Sequence, residues 1–400
     1  MKYEEYLGKD ISINMERGWP SEDQLALAMP MLDVVTSETD LVHEVDYRGY
    51  AGTGGIKPLR ELFAKILDVT PDEVYIGGTM STTIMYDLIN KAVLFGLNGH
   101  KPWKEYDSVS FICPSPGYEK HFKICDAFGI KMIPVDMLDD GPDMDKVEEL
   151  VRNDETIKGI WCVPLYSNPT GAIYSDTTVR RLAGLKAAAD DFTLMWDNAY
   201  VIHHLTDKEP KILNILRECE KAGYPDRAYE FASTSKITFP GGGVGLFASS
   251  LSNTEWYKKK TLLQLKSGDK INEYRHFLFF KDAAGLKAHM KKLAGIVYPK
   301  FETVDEVLRS ELDGTGLAKW SLPGGGYFIN VELVGVSAKK VWELCKDAGV
   351  RITPAGSTFP YGNDPKDAFI RLAPTYLSCE DLRLAMQVFA AAIKYAAGKD

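Results

Sequence analysis

The sequence lacks the features that mark several special classes of protein. Its six cysteines are scattered, with neither a Cys-x-x-Cys pair nor the spacing of zinc ligands, so neither a disulfide framework nor a structural zinc site is indicated. No apolar run reaches the roughly 20 residues that span a bilayer, and the opening MKYEEYLGKD lacks the apolar centre of a secretory signal. No repeat or low-complexity segment is present. We therefore expect a cytoplasmic protein with buried, reduced thiols and no membrane partner.

An excess of positive charge is also missing. The formal net charge of the 400 residues is −9, which disfavours nucleic acid as the main partner. Hydrophobic residues make up 45% and charged residues 26%, the balance of a folded globular chain. A chain of this length exceeds one ordinary hydrophobic core. We expect residues 46–285 to form a large domain, residues 286–400 a small α+β domain, and residues 1–45 to contribute to the small one.

The middle of the chain alternates short apolar runs with amphipathic stretches. This alternation is typical of strands buried on both faces of a mostly parallel sheet, and it predicts an α/β fold. The predicted strands lie at 109–114, 131–135, 157–164 and 192–197. Helical stretches are predicted up to about Phe128, near 143–152 and over 177–189.

The pattern changes after about Phe247. Helices are predicted over 253–266 and 282–312, and a last helix ends the chain. Two strands are expected around P-G-G-G-Y-F-I-N-V, residues 323–331. This second half therefore predicts an α+β arrangement.

Several predicted strands end in residues that suit a ligand, and in open α/β sheets ligands bind outside the carboxyl ends of the strands. In W-D-N-A-Y, Asp197 closes an apolar strand, where a carboxylate needs a partner such as a cationic ring nitrogen, and Tyr200 follows three residues later. A helix N-cap is the alternative for Asp197. In S-N-P-T-G, Asn168 precedes a proline that would fix its amide toward a ligand, and a turn with no other role is the alternative.

A fourth strand would end at F-A-S-T-S-K-I-T-F-P-G-G-G-V-G, where Lys236 has small hydroxyl neighbours, apolar flanks and no charged company. A lysine amine becomes nucleophilic when its pKa falls or when its charge is consumed in an imine. The motif alone leaves open whether Lys236 is a buried functional lysine or an ordinary loop residue.

Two further motifs suit anions. G-G-T-M-S-T-T, residues 77–83, precedes an amphipathic helix, and the free N–H groups of a helix start bind phosphate, although simple capping is the alternative. Arg371 lies inside the apolar run F-I-R-L-A-P, where it would grip a carboxylate or phosphate, or form a structural salt bridge. A lysine, a phosphate cradle, an asparagine, an Asp/Tyr pair and a carboxylate-binding arginine together imply a ligand with a carbonyl, a phenolic oxygen, a ring nitrogen and a phosphate. Pyridoxal phosphate has all four.

With these motifs, the sequence resembles the fold-type I pyridoxal-phosphate aminotransferases over nearly its whole length. It is most similar to the bacterial aspartate aminotransferase subgroup that starts with R-G-x-P-S and carries T-S-K-I-T. The resemblance implies a seven-stranded type of central sheet in the large domain, a smaller α+β domain, and a homodimer with shared active sites. It also implies transamination between amino acids and 2-oxo acids by a ping-pong mechanism, with aspartate and 2-oxoglutarate as the favoured pair.

The resemblance also implies roles for the motif residues. Lys236 would form the internal aldimine with the cofactor and later carry the proton between the substrate α-carbon and the cofactor. Ser233 would bind the phosphate, and Asp197 would keep the pyridine nitrogen protonated. Asn168 and Tyr200 would hydrogen-bond the phenolic oxygen.

The remaining implied roles concern the phosphate, the ring face and the substrate. Tyr50, in Y-A-G-T-G-G-I-K-P-L-R, would reach the phosphate of the neighbouring subunit, and Tyr118 would stack on the ring. Gly18 and Arg371 would receive the substrate α-carboxylate, next to Asn168, and Arg17 is a further candidate for a carboxylate. The phosphate loop would use backbone N–H groups of Thr79, Met80 and Ser81.

One position departs from the family pattern. Most relatives carry a phosphate-binding arginine seven or eight residues after the lysine, and here Gly243 and Val244 occupy those positions. Candidate replacements lie in S-G-D-K-I-N-E-Y-R-H, where Lys270, Asn272 or Arg275 would serve the phosphate or a second substrate carboxylate. The resemblance implies that this segment can enter the active site of the partner subunit. A polar helix start with no such role is the alternative.

Other functions share the same residues. Aminotransferases for alanine or aromatic amino acids, and pyridoxal-phosphate β-lyases, stay open as alternatives, as does a non-catalytic ligand-sensing domain on the same fold. A dinucleotide-binding dehydrogenase is disfavoured, because G-T-G-G at 52–55 lacks a preceding strand and the G-x-G-x-x-G spacing.

Overall fold

The computed structural model describes residues 2–50 and 52–399. Within them the strands are β1 (Ile13–Met15), β2 (Val74–Ile76), β3 (Ser110–Ser115), β4 (Lys131–Leu138), β5 (Gly141–Pro142), β6 (Ile157–Cys162), β7 (Thr193–Asp197), β8 (Ala228–Ser233), β9 (Gly245–Ala248), β10 (Ala318–Trp320), β11 (Ile329–Leu333), β12 (Val350–Ile352) and β13 (Phe369–Leu372). The α-helices are α1 (Glu22–Ala28), α2 (Lys57–Leu67), α3 (Ser81–Phe95), α4 (Glu119–Ala127), α5 (Met144–Asn153), α6 (Asp176–Ala183), α7 (Ile215–Lys221), α8 (Leu251–Thr261), α9 (Lys270–Phe280), α10 (Ala283–Leu312), α11 (Ala338–Asp347) and α12 (Cys379–Ala396).

The central sheet has the strand order β2-β9-β8-β7-β6-β3-β4-β5. Strands β8, β7, β6, β3 and β4 pair in parallel, β9 runs antiparallel between β8 and β2, and the two-residue β5 forms a hairpin with β4 at the far edge. Every residue of β3, β6 and β7 is buried, as apolar strands covered on both faces should be. The predicted mostly parallel sheet of the seven-stranded type is confirmed, with β5 added at its edge.

Helices cover both faces of this sheet, because successive residues of a strand point to opposite sides. On one face, Ile160 of β6 lies in the same apolar cluster as Leu182 of α6. On the other face, the next residue, Trp161, shares a cluster with Leu88 of α3 and Tyr257 of α8. The result is a three-layer arrangement with two separate apolar cores.

A further core lies outside the central sheet. Strands β10, β11 and β13 form an antiparallel sheet, and β1 pairs in parallel with β12. Tyr3 and Met15 from the N-terminal segment are buried in this core with α11 and α12. Helix α10 joins the two regions, because its Leu286 packs into the core on the sheet and its Phe301 into the outer core.

The glycine-rich segment 323–331 differs from the expectation of two strands. Only β11 begins there, at Ile329, and its neighbours are β10 and β13. The preceding residues form a loop that packs closely on Tyr166: a Cβ at Gly325 would lie 2.2 Å from that ring. The glycines therefore permit close approach rather than strand pairing.

Three smaller features complete the fold. Helix α6 ends at Ala183, earlier than expected, where Gly184 caps it. All six cysteines are free thiols, and five of them are buried, Cys379 being exposed. In the part of the chain that the structure describes, no helix is long and apolar enough to cross a membrane.

Candidate active site

The loops after β3, β6, β7 and β8 meet at one edge of the central sheet, where the carboxyl ends of its parallel strands lie. These loops carry Tyr118, Asn168, Tyr200 and Lys236, respectively. The edge faces the outer core, since an apolar cluster there joins Tyr200 to residues next to β11 and β13. The site lies between the two packed regions of the chain.

Asp197, the last residue of β7, is buried at this edge. Its Oδ2 lies 2.9 Å from Nε2 of His121, whose ring stacks on Trp161 with centroids 4.3 Å apart. Its Oδ1 is also buried and has no hydrogen-bond partner among the described residues. No helix begins after β7 at this point, so Asp197 is not a helix N-cap. A buried acceptor without a donor is costly, and Oδ1 is thus available to a ligand donor.

Lys236 follows β8 in a tight turn, held by hydrogen bonds from Ile237 and Thr238 back to the Thr234 carbonyl. Its Nζ lies 5.3 Å from the ring centroid of Tyr200 and 5.7 Å from that of Tyr327. Burial lowers the pKa of the Lys236 amine, although the nearby carboxylates of Asp197 and Glu119 act in the opposite direction. The amine therefore loses its proton more easily than that of a surface lysine.

Arg371 of β13 approaches the same cleft from the outer region. Its guanidinium lies 4.6 Å from the Phe328 ring centroid, and Nη1 donates to Oδ1 of Asn168 at 3.4 Å. A Cβ at Gly18 would lie 2.8 Å from the same Phe328 ring, so the N-terminal segment passes directly beside this group. Arg371 also forms a bidentate ion pair with Glu119. Gly18, Asn168 and Arg371 thus lie close together.

The hydroxyl-rich loops and the glycine run are in close contact. Helix α3 begins at Ser81, directly after the loop that contains Thr79 and Met80. A Cβ at Gly243 would lie 2.9 Å from the Thr79 carbonyl oxygen and 3.1 Å from the backbone of Ser235. The Ser235 hydroxyl is 2.9 Å from that of Ser233. Any side chain at position 243 would therefore collide with the predicted phosphate loop, which explains why an arginine is absent there.

The start of α9 packs on this glycine run. Asn272 Nδ2 donates to the Gly243 carbonyl at 3.0 Å, and Arg275 Nη2 lies 3.5 Å from the Gly242 carbonyl oxygen. The Arg275 Nε is buried and has no hydrogen-bond partner within the described residues. Lys270, in contrast, is buried beside Glu273, whose pKa is raised to about 7 by burial in spite of the lysine charge.

Three other predicted residues are Tyr118, Tyr50 and Arg17. Tyr118 precedes α4, and its ring centroid is 5.0 Å from that of His121, the partner of Asp197. Tyr50 is 86% exposed, and Lys266 Nζ lies 5.8 Å from its ring centroid. Arg17 is exposed, and its guanidinium lies 5.7 Å from the Trp19 ring.

Sequence reasoning missed several residues that shape the site. His121 binds Asp197, and Glu119 binds Arg371. Tyr327 donates to the Lys236 carbonyl at 3.2 Å and accepts from Gln24 of α1 at 2.8 Å. His121 could have been predicted from the sequence. It lies three residues after Tyr118 at the start of a helix, so the two side chains share one face of that helix. The Tyr327 and Gln24 contacts join distant segments and leave no local pattern.

Known proteins resemble this chain over its whole length. A family model described as aspartate amino-transferase matches residues 1–400. The chain belongs to this family.

Individual relatives agree with that assignment. An aspartate aminotransferase from Corynebacterium glutamicum is 40% identical over 400 residues, which cover 100% of this chain and 92% of the relative. A crystal structure of an aspartate transaminase from the same organism has a TM-score of 0.97 and covers 99% of this chain and 94% of its own, at 40% identity. An α-aminoadipate aminotransferase from Thermus thermophilus, solved with N-(5'-phosphopyridoxyl)-L-leucine, has a TM-score of 0.78 over 100% of this chain and 96% of its own. At 19% identity, that likeness shows the fold alone.

The enzyme is therefore a fold-type I transaminase, and its cofactor is pyridoxal phosphate. The residues at the sheet edge fit this group. Oδ1 of Asp197, which no described residue contacts by a hydrogen bond, is an acceptor for a protonated ring nitrogen, and Lys236 offers an amine of lowered pKa. The N-terminus of α3, next to the Ser233 and Ser235 hydroxyls, suits a phosphate.

Proposed function

We propose that this aminotransferase moves the amino group of aspartate to 2-oxoglutarate in two half-reactions, at a site built around Lys236. The observation that carries the proposal is the buried Oδ1 of Asp197, which has no hydrogen-bond partner in the described part of the chain and lies in the same cleft as Lys236 and Arg371. Aspartate as the donor is supported by the full-length similarity to the C. glutamicum aspartate aminotransferase.

When bound, pyridoxal phosphate carries the amino group between substrates and withdraws electrons from the substrate α-carbon. We assign Lys236 Nζ to hold the cofactor covalently and then, as a free amine, to move the proton of the substrate α-carbon to the cofactor, and in the second half-reaction from the cofactor to the α-carbon of the new amino acid. Its lowered pKa supports this role, because a larger fraction of the amine is neutral near pH 7. Asp197 would keep the ring nitrogen protonated, and Asn168 and Tyr200 would hold the phenolic oxygen.

The phosphate would be bound by Ser233, by backbone N–H groups of residues 79–81, and by Arg275. The support for Arg275 is its position: it lies against the glycine run, and its Nε is a buried donor without a partner among the residues that the structure describes. A planar guanidinium suits phosphate oxygens. Arg275 from α9 would thus supply the charge that relatives take from an arginine at the position of Gly243 or Val244.

The substrate α-carboxylate would bind to Arg371, beside Gly18 and Asn168. Arg371 suits this role because it is buried and has a planar, bidentate fork directed at the cleft. For the second carboxylate of aspartate, Lys270 and Arg17 remain the candidates. Lys270 would act from the partner subunit if the dimer brings α9 near the neighbouring cleft.

The enzyme would work as a homodimer with shared active sites. Tyr50 is 86% exposed, and exposed apolar side chains such as Leu262 (56%) and Leu263 (72%) lie after α8, close in sequence to α9. Burial of such side chains against a second copy would stabilise a dimer. Tyr50 would then reach the phosphate bound by its partner.

The proposal also covers the limits of the two domains and the location of the protein in the cell. The division at 285/286 would fall inside the N-terminal part of α10, whereas the packing along that helix changes from one core to the other between Leu293 and Val297. A cytoplasmic location is supported by six free thiols, five of them buried, since such thiols persist in a reducing compartment.

A panel of amino donors tests the proposed reaction. The enzyme loaded with pyridoxal phosphate is mixed with L-aspartate, L-glutamate, L-alanine or L-phenylalanine, and the cofactor absorbance is followed in a single turnover. We expect aspartate and glutamate to convert the cofactor fastest, and Lys236→Ala to convert none. Faster conversion by alanine or phenylalanine would support the alternative aminotransferases, and release of ammonia with pyruvate from a β-substituted amino acid would support a β-lyase.

A further inference from the structure

The carboxylate-binding arginine has an internal partner. Both guanidinium nitrogens of Arg371 that face the cleft donate to Glu119: Nη1 to Oε2, and Nη2 to Oε1 at 3.2 Å. Arg371 Nε donates to Thr353 Oγ1 at 3.4 Å, and Nη1 also reaches Asn168. The fork that would bind a substrate carboxylate in two hydrogen bonds is thus held by a carboxylate of the chain itself.

Glu119 is held firmly in this position. It is the first residue of α4, where the positive end of the helix favours a negative charge. Burial alone would raise its pKa, but the charge and hydrogen bonds of Arg371 hold the pKa below the ordinary value of a glutamate. The side chain is still 21% exposed, whereas that of Arg371 is 3% exposed, so Glu119 is the partner with room to move.

The same carboxylate also acts on the catalytic amine. Glu119 and Asp197 both raise the pKa of Lys236, against the effect of burial. A substrate carboxylate seated on Arg371 would carry the same charge as Glu119. Exchange of one for the other would therefore leave the charge beside Arg371 unchanged.

We propose that Glu119 is an affinity-determining residue that occupies the substrate-carboxylate seat on Arg371 and has to be displaced by each incoming amino acid or oxo acid. This inference rests on the proposed function, because it takes Arg371 as the substrate-carboxylate site. Glu119 keeps Arg371 paired and aimed at the cleft, and it returns when the product leaves. Substrate binding is then an exchange of carboxylates, which weakens binding and speeds product release.

The test is the affinity for succinate, a dicarboxylate without an amino or keto group, measured by calorimetry on the enzyme loaded with pyridoxal phosphate. Glu119→Gln keeps the size and removes the charge, so succinate should bind about tenfold more tightly or better. The KM values for aspartate and 2-oxoglutarate should fall together, because both use the same seat. Glu155→Gln, an equal charge change at an exposed position outside the cleft, should leave both quantities unchanged.

Two additional variants separate an effect at Arg371 from a failure to fold. In an Arg371→Gln background, Glu119→Gln should no longer change the affinity for succinate. If Glu119→Gln does not fold, Glu119→Asp replaces it, since the shorter side chain reaches Arg371 less well and should also strengthen succinate binding. Unchanged or weaker succinate binding in the Glu119 variants would overturn the inference.

Failure of this inference differs from failure of the proposed function. A wild-type enzyme that transaminates, with Glu119 variants that bind succinate no better, contradicts only the exchange at Arg371. A wild-type enzyme that transfers no amino group, with Glu119→Gln still binding succinate more tightly, contradicts the proposed reaction and supports the exchange.

Discussion

The buried carboxylate of Asp197 allows a prediction that separates a ligand-binding role from a structural one. Asp197→Asn keeps an acceptor for His121 and removes the charge of a carboxylate whose Oδ1 has no partner within residues 2–50 and 52–399. Loss of one member of a buried charge pair, here Asp197 with the protonated ring nitrogen, costs about 3 kcal/mol or more. This free energy corresponds to an increase of about 100-fold in a dissociation constant. Pyridoxal phosphate should therefore bind about 100-fold more weakly to Asp197→Asn, as measured by absorbance or fluorescence titration of the cofactor-free enzyme.

The stability of the cofactor-free variant gives the second half of the prediction. Because Asp197→Asn removes a buried charge without breaking a hydrogen bond, its free energy of unfolding should be equal to that of the wild type or higher. Asp191 is the matched control: it is also buried, but its oxygens accept from Lys158 at 2.9 Å and Trp103 at 2.8 Å. Asp191→Asn should lose about 3 kcal/mol of stability and leave cofactor affinity unchanged. The reasoning is refuted if Asp197→Asn unfolds more easily and binds the cofactor normally.

Three further predictions concern charge and pH. Arg371→Lys keeps the charge and loses the planar fork, so the KM values of both substrates should rise about 10- to 100-fold in steady-state kinetics; unchanged values would count against Arg371 as the carboxylate site. Burial raises the pKa of Glu230 from 4.5 to about 7, so the free energy of unfolding should fall by up to about 3 kcal/mol as pH rises from 4.5 through 7. Glu230→Gln should abolish that decline in urea unfolding at pH 5 and pH 8, and an equal decline in both proteins would contradict the assignment. Burial lowers the pKa of Lys236 from 10.5, so the rate of cofactor uptake by the cofactor-free enzyme should rise with pH with a midpoint below 10.5, and a midpoint at or above that value would contradict the burial argument.

Much of the fold is visible in the sequence because its strands are short apolar runs. The runs at 157–164 and 192–197 contain β6 and β7, whose residues are all buried. The motifs that end these strands meet because parallel strands share an edge, so local sequence and topology together predict the cleft. The antiparallel β9 and the loop before β11 were harder to predict from the sequence. The glycines in these segments allow close packing against residues such as Met80 and Tyr166.

Residues that act through other residues could not be predicted in the same way. The pairing of Glu119 with Arg371 joins positions 252 residues apart, and nothing in either segment indicates the other. The hydrogen bonds from Gln24 to Tyr327 and from Tyr327 to the Lys236 carbonyl also join distant segments, and neither segment indicates the other. The absence of an arginine at Gly243 and Val244 was visible in the sequence, but the close contact of Gly243 with the Thr79 carbonyl oxygen required the structure.

The central claim is that Lys236 is the covalent anchor of the cofactor, and one measurement tests it most directly. The enzyme loaded with pyridoxal phosphate is reduced with borohydride, digested, and mapped by mass spectrometry. Other buried lysines, Lys91, Lys158 and Lys300, serve as internal controls, because each is held by an acid or a carbonyl group. We predict that the phosphopyridoxyl mass lies on the peptide that contains Lys236 and on none of the control peptides. Labelling of another lysine, or no label on a protein that retains transaminase activity, would contradict the account.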